Sequence, residues 1–207
     1  MSSRIPGRAA AADTPRTAQG RPVATTHAAI EQAAFALFAR RGFAGTTLDD
    51  IAAEVGVGRR TLFRYYASKN DIPWGQFDRT LDDFRRILDQ TPAEVPLWQA
   101  VHRAVVRFNE FPEDADPGHR ERMTLILTTP ELQAHSALRY AEWRGVIASF
   151  VADRLGCTPA DPRPGTVAHV SLALALAAYD QWMRDPDQPL APLVEQTMSV
   201  LRHHLGS

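Results

Sequence analysis

An all-α protein is what this chain predicts, with an N-terminal three-helix head and a larger helical body. Three observations carry that reading. Apolar residues recur at helical spacing in nearly every segment beyond residue 25, and no stretch shows the strict alternation of a half-buried strand. Prolines and glycines stand at the joints between these segments. Charge is unevenly divided: residues 1–69 hold ten basic side chains against five acidic ones, a net +5, whereas the remainder carries −6 of the overall −1. Such a chain is suited to bringing only its head against a polyanion.

Residues 1–24 are rich in Ala, Arg, Thr and Pro without periodicity and are expected to form a disordered basic arm. The head, residues 25–69, opens with a helix that Thr26 can cap, that Ile30, Ala33, Ala34, Leu37 and Phe38 stripe with apolar side chains, and that Gly42 ends. Thr46 can cap a second helix, with Asp49 in its first turn where the helix dipole favours negative charge. Leu48, Ile51, Ala52 and Val55 form one face of it, Gly56 stops it, and Val57 plugs the angle that follows. A third helix begins near Gly58 with Leu62, Phe63 and Tyr66 expected inside, which leaves Arg59, Arg60, Thr61, Arg64 and Tyr65 towards its exposed N-terminal half. Two short helices across a tight turn, the second carrying arginines, are the layout of a DNA-reading helix-turn-helix. The same spacing also occurs in helical proteins that never meet DNA, so the charge division is what favours a nucleic-acid partner.

The body, residues 70–207, is expected to start with a linking helix capped by Ser68, with Pro73 in its first turn and Phe77, Leu81, Phe84 and Leu88 as its inner stripe. Further helices are expected at 95–111, 119–128, 130–155, 164–184 and 189–205. Residues 170–182 are apolar nearly all round, so this helix must be buried, in the monomer core or, with 193–205, in a dimer interface. Phe84, Trp98, Phe108, Met123, Leu127, Trp143 and Tyr179 are candidates to line a ligand pocket, as are Ile126 and Tyr140, although the same residue types fill ordinary cores. His102, Arg107, Arg139 and Arg144 are the polar candidates, suited to an anionic ligand head if one or two face inward.

Composition excludes several classes. No apolar run approaches the roughly 18 residues that span a bilayer, so no membrane role is expected and the cytoplasm is the default location. Cys157 is the single cysteine and Lys69 the single lysine, which rules out an internal disulfide and a lysine Schiff base elsewhere. His203 and His204 are adjacent and diverge by about 100° on a helix, a poor arrangement for joint metal ligation, and the acidic loop at 112–119 lacks calcium-loop spacing. No serine elbow or phosphate loop is present, so no catalytic residue, metal or cofactor is expected.

Residues 26–77 resemble the DNA-binding region of TetR-family transcriptional regulators. The threonine pair Thr46–Thr47, the acidic-apolar helix, Gly56–Val57, the threonine-aromatic recognition helix and the Ser68–Lys69 step stand in the family's order. Within the family, the run GRRTLFRYYASKNDIPWGQFD is most similar to the branch found with mycofactocin biosynthesis genes. The resemblance implies an all-helical homodimer whose head binds a double-stranded DNA operator and whose body binds a small-molecule effector. The function expected is that of a ligand-responsive repressor of mycofactocin-related genes. Long-chain acyl-CoA is the effector suggested by branches of the family that sense acyl thioesters. The resemblance further implies that Thr47 meets a phosphate at a helix start, that Thr61 and Tyr65 are recognition-helix contacts, that Lys69 is a phosphate clamp, and that Arg59 and Arg60 hold the variable base-reading positions. Arg64 joins them by its place on the same exposed half. Gly58 departs from the family's common serine cap, and Tyr65 from the commoner histidine. A protein-binding adaptor and a helical enzyme remain the other classes open to the residues; salt-dependent DNA affinity excludes the first, and dependence of function on residues 1–69 the second.

Overall fold

The structure, a computed structural model, describes residues 26–204 apart from 113, 159 and 186; the expected arm at 1–24 lies outside the described residues. Among these residues the chain forms nine α-helices and one 3₁₀ helix, with no strand. No helix among them is long and apolar enough to cross a membrane.

The head contains α1 (His27–Arg41), α2 (Leu48–Val55) and α3 (Arg59–Leu62). Thr26 caps α1, its Oγ1 accepting from the Ala29 N–H at 3.1 Å, and Gly42 ends it at φ 75°. Ile30, Ala34 and Leu37 meet Ile51 and Leu62 in the head core, each of the five at most 1% exposed. The cap of α2 is Thr47, not the expected Thr46. Its Oγ1 accepts from the Asp50 N–H at 3.1 Å, and Asp50 returns a bond to the Thr47 N–H at 2.9 Å. The sequence TTLDD offers the same Thr-x-x-Asp box in two registers. Tertiary packing chooses between them, because Thr46 is buried and its hydroxyl donates to the Gly42 carbonyl at 2.9 Å. Gly56 then takes the left-handed conformation, and Gly58 starts α3 without a side-chain cap.

Only one turn of α3 is α-helical; Arg64 and Tyr65 continue it with tighter bonds to the Thr61 and Leu62 carbonyls. Leu62 and Tyr66 point inward as expected. Phe63 does not: it is 43% exposed, with the Arg59 guanidinium 5.5 Å above its ring.

The link to the body differs from the single helix expected. A 3₁₀ helix, Lys69–Trp74, comes first, with Pro73 inside it, and α4 (Phe77–Asp89) begins beyond Gly75. Proline removes an amide and its ring crowds an α-helical turn behind it, so the tighter helix ends there. Gly75, at φ 61° and ψ −141°, makes the corner. Phe77, Leu81, Phe84 and Leu88 then form the buried stripe that the sequence predicted for this helix.

The body continues with α5 (Leu97–Phe108), α6 (His119–Thr128), α7 (Pro130–Leu155), α8 (Pro162–Arg184) and α9 (Leu190–His204). The end of α5 is trimmed from the expected residue 111 because Asn109 folds its amide back onto the Val105 carbonyl at 2.8 Å. The long helices α7 and α8 pack side by side, α9 covers α8 and α5, and Arg154 ties the 92–95 connection to α7 through the carbonyls of Ala93 (2.9 Å) and Val95 (2.6 Å). Helix α8 turns Ala168, Ala175, Ala178 and Trp182 into the monomer core, which accounts for half of its apolar circumference. Val170, Ala173 and Ala177 remain exposed on the other half.

If Thr47 is primarily a cap, Thr47→Ala lowers stability by about 1 kcal/mol. Urea unfolding of the full chain measures this, and an unchanged midpoint would remove the cap's structural role.

Candidate nucleic-acid interface and ligand cavity

The head presents its basic residues in two states. The three acidic residues of α2 each hold an arginine: Asp49 pairs with Arg59, Asp50 with Arg41 and Glu54 with Arg40, all at 3.1 Å. These are exposed pairs worth little individually, and they orient the arginines more than they stabilise the head. Arg60 and Arg64 are exposed and take no part in such pairs. Thr61 and Tyr65 are half-buried, Tyr65 with the His27 ring against it edge-on at 4.8 Å. Thr47 Oγ1 donates to Asp50 at 2.6 Å as well as capping α2, and this bond is the largest of those that hold the Asp50 carboxyl below its ordinary range.

Lys69 sits differently from an outstretched clamp. Its Nζ donates to the carbonyls of Phe43 (2.7 Å) and Thr46 (2.9 Å) and lies 4.2 Å from the centre of the Phe43 ring. Burial lowers its pKa, yet the two carbonyls and the ring face keep the ammonium satisfied. The lysine therefore fastens the α1–α2 loop to the start of the 3₁₀ helix.

Two carboxylates tie that 3₁₀ helix to the body, the half-buried Asp71 on the helix itself and the buried Glu31 of α1. Asp71 accepts from the Ser68 N–H (2.9 Å) and hydroxyl (2.8 Å) with one oxygen, and from Arg139 (2.7 Å) and His135 (2.9 Å) of α7 with the other. Burial alone would raise the Asp71 pKa; the Ser68 bond and then Arg139 outweigh it and hold the carboxyl below its ordinary value. On the other side, Glu31 of α1 accepts from the Tyr66 hydroxyl and from Arg122 of α6, both at 2.5 Å. Arg122 also donates to the Pro73 carbonyl at 2.6 Å.

Behind this junction lies a cavity of about 580 Å³, within the usual range for small-molecule sites. Of the residues proposed from sequence, Phe108, Met123, Ile126, Tyr140, Trp143 and Tyr179 line it. Phe84 is wholly buried behind the wall, stacked 5.3 Å from Trp143. The remaining six lie elsewhere, Arg107 exposed and Arg144 half-buried away from the cavity. Trp98 is 49% exposed, and Leu127 packs half-buried against the core away from the cavity. His102 faces α9, its Nε2 2.9 Å from Glu195, and Arg139 is committed to Asp71 and Glu142. Trp74, Phe77, Phe111, His119, Glu31 and Arg122 line the cavity and were missed. A glutamate beside Ile30 in an otherwise apolar stretch of α1 is the one signal in the sequence that pointed there.

The polar end of the cavity can be assigned by counting hydrogens. Asn109 donates its amide to the Val105 carbonyl, so its oxygen faces Tyr179, whose hydroxyl donates to it at 2.8 Å. Tyr179 has no second proton, so His119 Nε2, 2.8 Å away, carries the hydrogen and donates. Burial, and then the nearby Arg122 charge, push the His119 pKa down to about 3, so the ring is neutral. Burial likewise raises the Tyr179 pKa. The cavity thus combines aromatic walls, a neutral polar relay and one ion pair.

Cys157 is unlike a reactive thiol, since desolvation and then a bond to Asp161 raise its pKa.

Comparison with known proteins matches both regions. The profile for bacterial regulatory proteins of the tetR family matches residues 30–72, and that for the MftR C-terminal domain matches 95–206. A Mycobacterium tuberculosis protein designated a mycofactocin biosynthesis transcriptional regulator, MftR, is 46% identical over 88% of this chain and 92% of its own. The Streptomyces glaucescens HTH-type regulator TcmR is 31% identical over 83% of this chain and 80% of its own. Among solved structures, Thermus thermophilus FadR in complex with lauroyl-CoA superposes with a TM-score of 0.55 at 19% identity, covering 85% of this chain and 93% of that one, a likeness of fold.

If the Asp71 cluster holds the 3₁₀ helix, its contribution is full at neutral pH, above the unfolded pKa of about 3.9, and is lost as pH falls through the lowered folded value. Acid titration of stability should therefore show a shallower loss below about pH 4 in Asp71→Asn than in the native chain.

Proposed function

The chain belongs to the TetR family of bacterial regulatory proteins, and we propose on that premise that it is an effector-released repressor of mycofactocin-related genes. It is a transcriptional regulator, as its family and relatives are, and not an enzyme. In the proposed mechanism two chains pair through α8 and α9, with Val170, Ala173 and Ala177 on the face that the monomer leaves open. Pairing sets two α3 segments one helical turn of DNA apart, about 34 Å, so that each enters a major groove. Arg60 and Arg59 then read base edges, Arg64, Thr61 and Tyr65 meet phosphates or bases, and Thr47 and Lys69 hold the backbone. Lys69 does so with the one N–H left after its two carbonyl bonds.

The single observation that carries the regulatory half is the placement of the cavity. Its walls include Glu31 of the head, Trp74 and Gly75 of the link, and Arg122 and His119 of the body. An occupant therefore touches the elements that orient α1 and the 3₁₀ helix. Release follows if the effector binds more tightly to the conformation that does not fit DNA; equal affinity for both would shift nothing. We take the effector to be an amphiphile with a long apolar tail, a long-chain acyl-CoA in the first instance. The apolar walls support this, as does the acyl-CoA carried by a protein of the same fold.

Nuclease protection of promoter fragments supplies the operator. On it, Arg60→Ala should relax preference at particular base pairs by about 1–3 kcal/mol, whereas Lys69→Ala should weaken all sequences alike and lower the salt slope by about one. Unaltered DNA affinity in both variants would place the interface elsewhere. Acyl-CoAs of increasing length, titrated against a fluorescent operator, should release more DNA per added methylene, by up to about 0.8 kcal/mol each until the cavity is full. No release at any length, with the protein folded, would remove acyl-CoA as the effector.

A further inference from the structure

The wall shared by head and body holds a hydrogen-bond donor that finds no acceptor among the described residues. Arg122 gives Nη1 to the Pro73 and Ile72 carbonyls and Nη2 to Glu31. Glu31 has both oxygens engaged, one by Tyr66 and one by Arg122. Beside them Trp74, which also lines the cavity, keeps a buried indole N–H with no partner among the described residues. A buried donor left without a partner keeps its desolvation cost, so this wall is unsatisfied as it stands. The next residue, Gly75, is pressed against the ion pair: a Cβ there would lie 3.2 Å from Arg122 Nη1 and 3.3 Å from Glu31 Oε2. Trp74 and Arg122 both line the cavity, with Gly75 set against the ion pair.

An oxyanion offers several lone pairs, enough for the indole N–H and for the guanidinium fork, which is suited to receive it. We propose that Trp74 and Arg122 form the subsite for the oxyanion head of the effector, and that this anion takes Arg122 over from Glu31. Glu31 and Tyr66 belong to the head, so the exchange removes the ion pair that fastens α1 to α6. The proposal rests on the reading of the cavity as the effector site. A carboxylate at the end of an alkyl chain and a phosphate of a coenzyme A thioester share the required chemistry.

Laurate and lauroyl-CoA below their critical micelle concentrations, and dodecan-1-ol below its solubility limit, distinguish these sources when titrated calorimetrically into the full chain, with operator release followed in parallel by fluorescence anisotropy. At least one anion should bind about tenfold more tightly than the alcohol: laurate if the chain-end carboxylate fills the subsite, lauroyl-CoA alone if a phosphate does. In Arg122→Met that preference should fall to within about twofold, and Trp74→Phe, which keeps the ring and removes the N–H, should reduce it severalfold. Glu31→Gln provides a test of opposite sign. The neutral amide competes less for Arg122, so the anion should bind about tenfold more tightly yet release less DNA per ligand bound, whereas a purely structural Glu31 would lose both. Equal binding of the alcohol and both anions overturns the subsite and leaves the cavity reading standing. Failure of all three to bind overturns both.

Discussion

The buried ion pair between Glu31 of α1 and Arg122 of α6 is the constraint on which the relation of head to body depends. Tyr66 holds the far oxygen of Glu31, and Arg122 reaches past it to the carbonyls of Ile72 and Pro73, so one cluster joins the first helix, the end of the recognition segment, the link and the body. Both charged side chains are largely buried, 11% and 16% exposed. An ion pair so placed adds little net stability over an apolar pair, but removing one partner leaves an uncompensated charge and costs about 3–5 kcal/mol. Its value is therefore geometric: it admits one arrangement of head on body while the pair is made, and penalises others steeply. A contact of this kind, either made or broken, suits a two-state regulator.

The link is built to transmit that constraint. A continuous helix from Ser68 would have carried the head rigidly with α4. Instead Pro73 ends a 3₁₀ turn and Gly75 makes a corner, and the short segment is pinned from α7 through Asp71 and from α6 through Arg122. The cavity opens beside the same corner. Coupling between cavity and DNA is reciprocal by necessity, so whatever loosens the head when the cavity fills must also weaken cavity binding when DNA holds the head.

The head shows how paired and unpaired charges divide the work. Asp49, Asp50 and Glu54 each orient an arginine across the helix-turn-helix, while Arg60 and Arg64 extend from its exposed edge. A basic surface made only of free arginines would repel itself in the absence of DNA; interleaving acids from α2 reduces that repulsion and leaves the N-terminal half of α3 positive.

The α-helices were legible in the sequence, the 3₁₀ link apart, because each is set locally, by cap residues and by the period of the apolar positions. The ranges of α6 and α7 follow directly from His119, Pro130 and Gly156, and the head from Thr26, Gly42 and Gly56. The family and the helix-turn-helix were legible for the same reason, since their motif is contiguous. What tertiary structure decided was every choice between locally equivalent options. Thr46 and Thr47 are equally good caps until burial takes one of them; Lys69 is a free cation until two loop carbonyls claim it; Phe63 fits an apolar face until the turn after Leu62 swings it out. The cavity wall belongs to the same class. Trp98 and Trp143 are alike as letters, and only the packing of α4, α7 and α8 puts one outside and the other on the cavity. Glu31 and Arg122 lie 91 residues apart, and no local rule relates them. Caps and periodicities act within one helix turn, whereas a site assembled from six α-helices and the 3₁₀ link exists only after the chain has closed upon itself.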